Sequence, residues 1–536
     1  MSKLHEKVVV VGAGMAGLTA AAYLAKAGYQ VMLLEKNDRT GGLLGTINKN
    51  GFQFDSGPRA FVNSGIVKPM LRDLGAEWNF LENKISIGIE NQLLQINSLD
   101  DLDQYQHMLE TLYPESKADI VKILAAIREL SESTKVIYDF DNPGFGAPLN
   151  DKEYVFKKLL PWTFKFLQSL RKFDHYKMPV EGFLQKLSDN HSLIDILTQH
   201  FFRNTPTYFA LGYFYVYQDY FYPKGGTGML KDLVEQKITE AGGQIKLNTQ
   251  VSQVLPSASK VVDSSGCEYP YDYLVWAADL KALYNAIDTA GLAARVESKV
   301  AAEKKSVLSS KGAESVFMMY LGVNRPPEYF KEHGGEHFFY TPSRQGLGEV
   351  NKAQRLRIIE HFDQVTKEEV MAWVEQYCAL NTYEISIPVL RDSTLAPEGQ
   401  TGVMISCLLE YPVIKNIEKA GWLDEFKVRF ERQVLSSLSG TIFQNIEQDV
   451  LFSFAYTPLT IHRVFGISDG AIVGWSFDTE PPVEYKLTAL GKSVFTAIPN
   501  IYKAGQWAYA PAGVPTAMLT GWHASQKIIK LSKKKR

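Results

Sequence analysis

Residues 7–43, KVVVVGAGMAGLTAAAYLAKAGYQVMLLEKNDRTGGL, restrict the fold of this 536-residue chain more than any other segment, because a β-branched run meets three spaced glycines and then an acid. Residues 8–11 are all valine, the pattern of a strand covered on both faces, and the run stops at Gly12-Ala13-Gly14-Met15-Ala16-Gly17. Gly12 permits a tight turn, Gly14 lets backbone approach a pyrophosphate closely, and Gly17 lets the following helix, about residues 16–27, lie against the strand. The first amides and positive dipole end of that helix, around Met15 and Ala16, then face an anion. Residues 29–34 return as a second strand ending at Glu35, where a carboxylate accepts both hydroxyls of a ribose and repels a 2′-phosphate.

Immediately after Glu35 and Lys36 come Arg39, Gly41 and Gly42. A cation and a second flexible glycine pair are thereby offered near the phosphates. This resembles the E-x3-R-x-G-G extension of flavoprotein oxidoreductases that bind FAD.

A chain of this length calls for two or three intertwined lobes. With 45% hydrophobic and 22% charged residues and a net charge of −2, its composition is that of a globular protein with no global reason to bind nucleic acid. Cys267, Cys378 and Cys407 have neither C-x-x-C nor metal-ligand spacing, so a reducing compartment and no metal site are expected. Only six residues precede the first strand, and no run of 18 or more is free of charge and punctuation. The expectation is a cytoplasmic protein without signal peptide or transmembrane helix, able to meet a membrane from one side only.

Along the chain, residues 47–55 alternate as one short strand leading into the turn Ser56-Gly57-Pro58-Arg59. From 66 to 219 the periodicity is mostly helical, with Thr205-Pro206 reading as a cap followed by proline in the first helical position. Helix and strand signals resume at Tyr222-Pro223-Lys224-Gly225-Gly226, with a helix over 229–240, one strand over 245–255 and a buried strand at 273–279. A strand-rich block at 315–412 builds a second sheet, and 500–526 closes with strand, glycine turn and helix. The chain ends in the basic tail Lys533-Lys534-Lys535-Arg536. The expected fold is α/β: a discontinuous Rossmann-type nucleotide lobe (1–65, 220–285, 490–536), a helical and membrane-associated substrate lobe (66–219), and an inserted mixed β-sheet lobe (286–489).

FDSGP at 54–58, YPKGGTGML at 222–230, GGQIKLNTQVSQV at 242–254, DSTLAPEG at 392–399, TPLT at 457–460 and NIYKAGQWAYAPAGVPTAMLTGWHAS at 500–525 follow the N-terminal fingerprint in order. Together they resemble the phytoene desaturase, carotenoid isomerase and retinol saturase group of flavoproteins over the length of the chain. The helical insertion matches only in position and character. The resemblance implies FAD, with Val251 holding the adenine through its backbone, Pro58 near the cofactor, and Gly505 and Val514 at the flavin ring. It also implies hydride exchange between flavin and an allylic or olefinic carbon of a carotenoid, retinoid or similar polyunsaturated lipid, with quinone or oxygen resetting the flavin in net oxidation. Many related enzymes carry an acid where this chain has Gln506 and Trp507, which leans the reading toward the saturase and isomerase branch.

Gly513-Val514-Pro515 precedes a helix over 516–531, so proline pre-sets the first turn and the dipole start would stabilise negative charge on a reduced flavin. A single GxGxxG argues against a second domain for NAD(P)H. Arg59 is the candidate polar helper beside the ring or at the substrate entrance. His462 and His523 read as structural.

Residues 156–173, FKKLLPWTFKFLQSLRKF, place Phe156, Leu159, Leu160, Trp162, Phe164, Phe166, Leu167, Leu170 and Phe173 over roughly 200° of one helical face. Lys157, Lys158, Lys165, Arg171 and Lys172 fall on the other, the pattern of an interfacial helix, kinked at Pro161, on an anionic membrane. A helix packed on the core with a solvated basic face has the same pattern. The aromatic run at 208–222 lines a polyene tunnel or fills a core. Two other functions remain open at this level: an amine-oxidase-like enzyme on a small polar substrate, and a flavin-retaining binding protein without turnover.

Overall fold

The computed structural model describes residues 6–535; Arg536, the last residue of the basic tail, lies outside them. Lys7–Val11 is the middle strand of a five-stranded sheet ordered Gln244–Lys246, Gln30–Leu34, Lys7–Val11, Tyr273–Trp276, Ile501–Lys503. All four pairings are parallel, as expected of strands whose β-branched and aromatic residues are buried on both faces. The first helix, Met15–Lys26, packs between this sheet and the C-terminal helix Val514–Lys535. The approach of the two helices leaves no room for a side chain: a Cβ at Gly521 would lie 2.2 Å from the Ala16 carbonyl oxygen.

Residues 47–55 form a hairpin instead of one strand, Thr46–Lys49 against Phe52–Asp55. Asn50 and Gly51 supply the turn with φ of 51° and 84°, the two positive values of a type I′ connection that matches strand twist. The expected strand over 245–255 is likewise broken. Gln244–Lys246 belongs to the parallel sheet, whereas Val251–Leu255 starts a three-stranded antiparallel sheet with Lys260–Asp263 and Glu268–Pro270. The amides of Asn248 and Thr249 bond the carbonyls of Asn37 and Glu35, which bends the chain across the end of Gln30–Leu34.

The second sheet is mixed and seven-stranded, ordered Val450–Tyr456, Ser315–Val323, Thr401–Leu409, Tyr383–Ser386, His337–Thr341, Ile85–Ile89, Gln92–Ile96. Four of these strands come from the block at 315–412, which also contains the helices Gly348–Glu360 and Lys367–Leu380. Two others, Ile85–Ile89 and Gln92–Ile96, come from the segment whose periodicity reads as helical. Ile85–Ile89 pairs parallel with His337–Thr341, so the lobes share one sheet across a long stretch of chain. A small sheet of Phe61–Val62, Tyr220–Pro223 and Phe80–Glu82 closes the junction.

The helical part consists chiefly of Leu102–Leu112, Lys117–Tyr138, Leu160–His175, His191–Thr198 and Thr207–Val216. At Thr207–Val216 the cap position is Pro206, not Thr205, whose hydroxyl instead turns back to the Phe202 carbonyl. Residues 156–173 are not one regular helix. A π-turn at Val155–Leu159 precedes Leu160–His175, because Pro161 has no N–H to donate to the turn before it. Among the described residues no helix is long and apolar enough to cross a membrane.

Candidate functional site

A cavity of about 1490 Å³ runs from the glycine loop into the space between the seven-stranded sheet and the helices. Gly12, Gly14, Met15 and Ala16 line its start. Gly12 turns with φ of 96° and lies so close to residues 277 and 278 that a Cβ would sit 3.0 Å from their backbone. Gly14 precedes the first helix with no side-chain cap, and no acid occupies the first helical turn, so its leading amides face the cavity uncompensated. A Cβ on Gly14 would meet no protein atom within 4 Å, although the residue lines the cavity. That empty volume above an anion-binding helix start is what a pyrophosphate needs. Gly17 lies behind the loop and does not line the cavity; a Cβ there would be 1.9 Å from the Gly12 carbonyl oxygen.

The Glu35 carboxylate is fixed by two amides, Ala13 N–H to Oε2 at 2.8 Å and Asn37 N–H to Oε1 at 2.9 Å. Each oxygen keeps a further acceptor position at the cavity wall, which suits a pair of ribose hydroxyls. Lys36 beside it is half-buried, and burial lowers its pKa against the opposing pull of Glu35 and Asp279. Gly41 and Gly42 complete the cradle, with the Gly41 amide bonded to the Ala13 carbonyl at 2.7 Å.

Arg39 departs from the sequence reading: it is exposed and does not line the cavity. The neighbouring Thr40 is buried and bonds Glu235, and this inward anchor turns Arg39 to solvent. Val251 lines the cavity at the far side of Glu35, as do Gly505, Gln506 and Val514 at the other end of the parallel sheet. The Gly505 amide is held by the Thr520 hydroxyl at 2.9 Å and the Gln506 side chain by the Ala471 carbonyl at 3.1 Å. The C-terminal helix starts at Val514, two residues before the position its proline suggests, and its first turn carries no acid.

Three motifs remote in sequence converge beneath Pro58 and Arg59. Asp55 accepts the Thr227 amide at 2.6 Å, the Thr227 hydroxyl at 2.8 Å and the Tyr222 hydroxyl at 2.8 Å. Asp392 accepts the Gly225 amide at 2.9 Å. FDSGP, YPKGG and DSTLAPEG are thus stapled to one another, and Pro58 and Arg59 line the cavity on top of them. Arg59 is buried; its Nη1 reaches the Gly57 carbonyl at 3.4 Å, while its Nη2 has no partner. A buried guanidinium nitrogen without an acceptor fits a group that completes its bonding when the cavity is filled. His462 bonds the Ile467 carbonyl at 2.9 Å through Nδ1, and burial lowers the pKa of His523 to about 4.

Away from the glycine cradle the cavity is lined by many aromatic side chains, Phe173, Phe201, Tyr208, Phe209, Tyr213 and Phe339 among them, with Asp174, Lys177, Asp478, Glu480 and Lys486 also on its wall. Among the lining residues that the seven-stranded sheet contributes, Glu384 is the charged one. Sequence reading missed it, because a lone acid in a short strand carries no motif. The helix Leu160–His175 flanks the chamber through Leu170 and Phe173. Its apolar face divides in two. Trp162 donates to the Val136 carbonyl at 2.8 Å and stacks on Phe140, and Phe173 stacks on Tyr208, whereas Phe156, Leu160, Phe164 and Leu167 are 66%, 50%, 66% and 48% exposed.

A parallel nucleotide sheet, a glycine cradle with a carboxylate at its rim and an attached mixed sheet roofing a second chamber define a two-lobed dinucleotide-dependent oxidoreductase fold. The profile of the family described as flavin containing amine oxidoreductase matches residues 15–353, and the chain belongs to that family, with FAD as its cofactor. It is 24% identical to a 4,4'-diapolycopene oxygenase of Methylomonas sp. over 98% of each chain. To a phytoene desaturase (neurosporene-forming) of Rhodobacter capsulatus it is also 24% identical, over 98% of this chain and 95% of that one. Among solved structures, an oxidoreductase from Methanosarcina mazei superposes with a TM-score of 0.61 at 16% identity, covering 98% of this chain and 100% of the other. A putrescine oxidase bound to putrescine superposes with a TM-score of 0.57 at 13% identity, with coverage of 98% and 100%. These likenesses agree in fold.

Proposed function

We propose that the protein is a FAD-dependent oxidoreductase acting on carbon–carbon bonds of a carotenoid, retinoid or other polyunsaturated lipid, by desaturation, saturation or cis-trans isomerisation. One observation carries this reading. The cavity that begins at the glycine cradle is continuous with a chamber rich in aromatic side chains, and its total of about 1490 Å³ exceeds the roughly 300–1,000 Å³ of an ordinary small-molecule pocket. That is room for a dinucleotide and a long apolar ligand together. The names of the full-length relatives point to the same substrate class.

In this reading the amides at the start of Met15–Lys26 hold the pyrophosphate and Glu35 takes the ribose hydroxyls. Gly41 and Gly42 admit the phosphates, Val251 meets the adenine, and Gly505, Gln506 and Val514 border the ring. Bound FAD supplies two-electron hydride chemistry. The chain's own contribution is to position and to exclude water. The start of Val514–Lys535 places its dipole where negative charge develops on the ring, Arg59 offers an unpaired donor, and the aromatic walls align the chain and keep solvent out. The exposed stripe Phe156, Leu160, Phe164 and Leu167, with Lys158 and Lys165 on its flank, lays the chamber's flanking helix on an anionic lipid surface, from which such a substrate would enter.

The test is anaerobic incubation of the holoprotein with a lipid extract from its source, following flavin absorbance and lipid masses. Bleaching with loss of two hydrogens from one polyene is expected for desaturation. Gain of two hydrogens by enzyme reduced beforehand marks saturation, and unchanged mass with altered retention marks isomerisation. A flavin that amines bleach and no lipid alters would overturn the reading in favour of an amine oxidase, and a flavin that nothing bleaches, with every lipid unaltered, in favour of a binding protein.

A further inference from the structure

Glu384 is a carboxylate on the cavity wall with its orientation fixed by two direct partners, His337 and Ser406, the first of them held in turn by Asn83. On one side, Asn83 Oδ1 accepts from Arg391, which leaves the Asn83 amide nitrogen to donate to His337 Nδ1 at 3.2 Å. With Nδ1 as acceptor, the single proton of a neutral His337 resides on Nε2 and is donated to Glu384 Oε1 at 3.0 Å. On the other side, the Ser406 hydroxyl donates to Oε2 at 3.1 Å. Strand pairing places both: Ser406 is the direct cross-strand neighbour of Glu384, and His337 stands two residues before its other neighbour, Phe339, on the same strand. His337 is fully buried, but the Glu384 side chain is 33% accessible and lines the cavity, so a bound ligand can reach its oxygens.

We propose that Glu384 is the catalytic proton acceptor of this enzyme, with His337 and Ser406 as its positioning residues. The inference rests on the reading that the substrate is a polyene oxidised at adjacent carbons. In the desaturation direction the flavin, held at the glycine cradle, would supply the hydride acceptor, taking one C–H bond's hydrogen with both its electrons. The neighbouring C–H proton passes to a Glu384 oxygen, and the electron pair left behind closes the new C=C bond. The carboxylate ends as a carboxylic acid, and charge and atoms balance. A weak base suffices, since a C–H bond beside a carbon losing hydride is strongly acidified.

The protonation state agrees with this role. Burial pushes the Glu384 carboxyl up, but the hydrogen bonds from His337 and Ser406 and the positive charge of Arg59 act against it, and the pKa lies below the ordinary carboxylate value. Burial likewise lowers the pKa of His337, so at neutral pH a neutral imidazole faces an anion. Tyr213, Tyr217 and Tyr220 are near enough to feel the charge of the carboxylate, and burial raises all three, keeping them protonated. His200 is the remaining titrating neighbour, lowered by burial to about 4.

The test compares wild type with Glu384→Gln by stopped-flow flavin reduction, using phytoene or a lipid extract in detergent micelles. Polyene binding is read separately, from quenching of protein fluorescence. Reduction slower by at least about 100-fold with binding within about 3-fold is expected, the range for a lost general base. The wild-type rate is flat near neutrality and falls in acid as the carboxylate protonates; that fall is absent from the variant. A smaller rate loss, a parallel loss of binding, or an acid limb that survives in Glu384→Gln and so belongs to His200 overturns the assignment. If Glu384→Gln does not fold, Ser406→Ala, which removes one hydrogen bond to the anion, moves the acid limb upward; a limb that stays in place overturns it equally. Wild type that binds polyene and is never reduced by it defeats the underlying reading, and is recognised by the inert wild type itself.

Discussion

Gly14 and Gly17 stand three residues apart in one motif, the first at the cap and the second inside the first helix, and a methyl group added to each would meet opposite surroundings. At Gly14, with φ of −70° and ψ of 174°, the backbone is open to any residue and the added atom would enter cavity space. Gly14→Val therefore folds and loses its cofactor. We expect flavin affinity lowered by at least about 100-fold, with the Tm of the flavin-free variant within about 2 °C of flavin-free wild type, read by flavin titration and calorimetry. At Gly17 the same atom would collide with the Gly12 carbonyl oxygen at 1.9 Å. Gly17→Ala costs about 1–3 kcal/mol of stability whether or not flavin is present, because the first helix must move off its strand. Stability of Gly14→Val falling as far as that of Gly17→Ala would show that the cradle is packing, not a binding surface. Both glycines are visible in the sequence as one motif; their division of labour depends on which Cβ direction is open, and that is a property of the folded loop. Arg39 makes the same point, since only the bond from Thr40 to Glu235 decides that the arginine of the motif turns outward.

The two faces of Leu160–His175 show how far an element can be read from its periodicity. The angular pattern locates the amphipathic helix, but cannot tell an apolar face covered by Lys117–Tyr138 from one left to solvent; Trp162 and Phe166 take the first role, Phe156 and Phe164 the second. If the exposed stripe meets lipid, substitution of Phe156, Leu160 and Phe164 by serine weakens co-sedimentation with phosphatidylglycerol vesicles by at least about 100-fold, as each apolar side chain is worth about 1.5–3 kcal/mol when buried. Flavin content and Tm stay unchanged. Equal sedimentation of variant and wild type would assign the stripe another role. Local signals also sufficed for the β-α-β unit, where glycines, β-branched runs and Glu35 follow one another within one short segment. They failed for the hairpin at Asn50-Gly51, where one continuous alternation hides a two-residue turn. They failed again for Ile85–Ile89, whose place in the second sheet depends on a parallel partner, His337–Thr341, far along the chain. Glu384 was illegible for the same reason, because its neighbours His337 and Ser406 are assembled by strand pairing alone.

At the scale of the molecule, the cofactor cradle is built from both ends of the chain and its middle: residues 12, 14–16, 35–37, 41 and 42, Val251, 505–507 and 509–517. The first and last helices touch backbone to backbone at Ala16 and Gly521, while the second sheet draws strands from before and after the helices at 102–216. Neither large sheet is built from a single stretch of chain, so filling the cradle should stabilise the molecule as one body. A ligand held only by the native state adds RT ln(1 + [L]/Kd), about 2.7 kcal/mol at 100 times Kd, and the increment continues to grow with the logarithm of free ligand. Thermal unfolding of the protein is therefore expected as one transition in which tryptophan fluorescence and flavin release coincide, with Tm rising steadily as free FAD is raised above saturation. Two transitions, with only the first moved by FAD, would mean that the mixed sheet and its helices fold as an independent body and that the shared strands do not couple them to the nucleotide sheet.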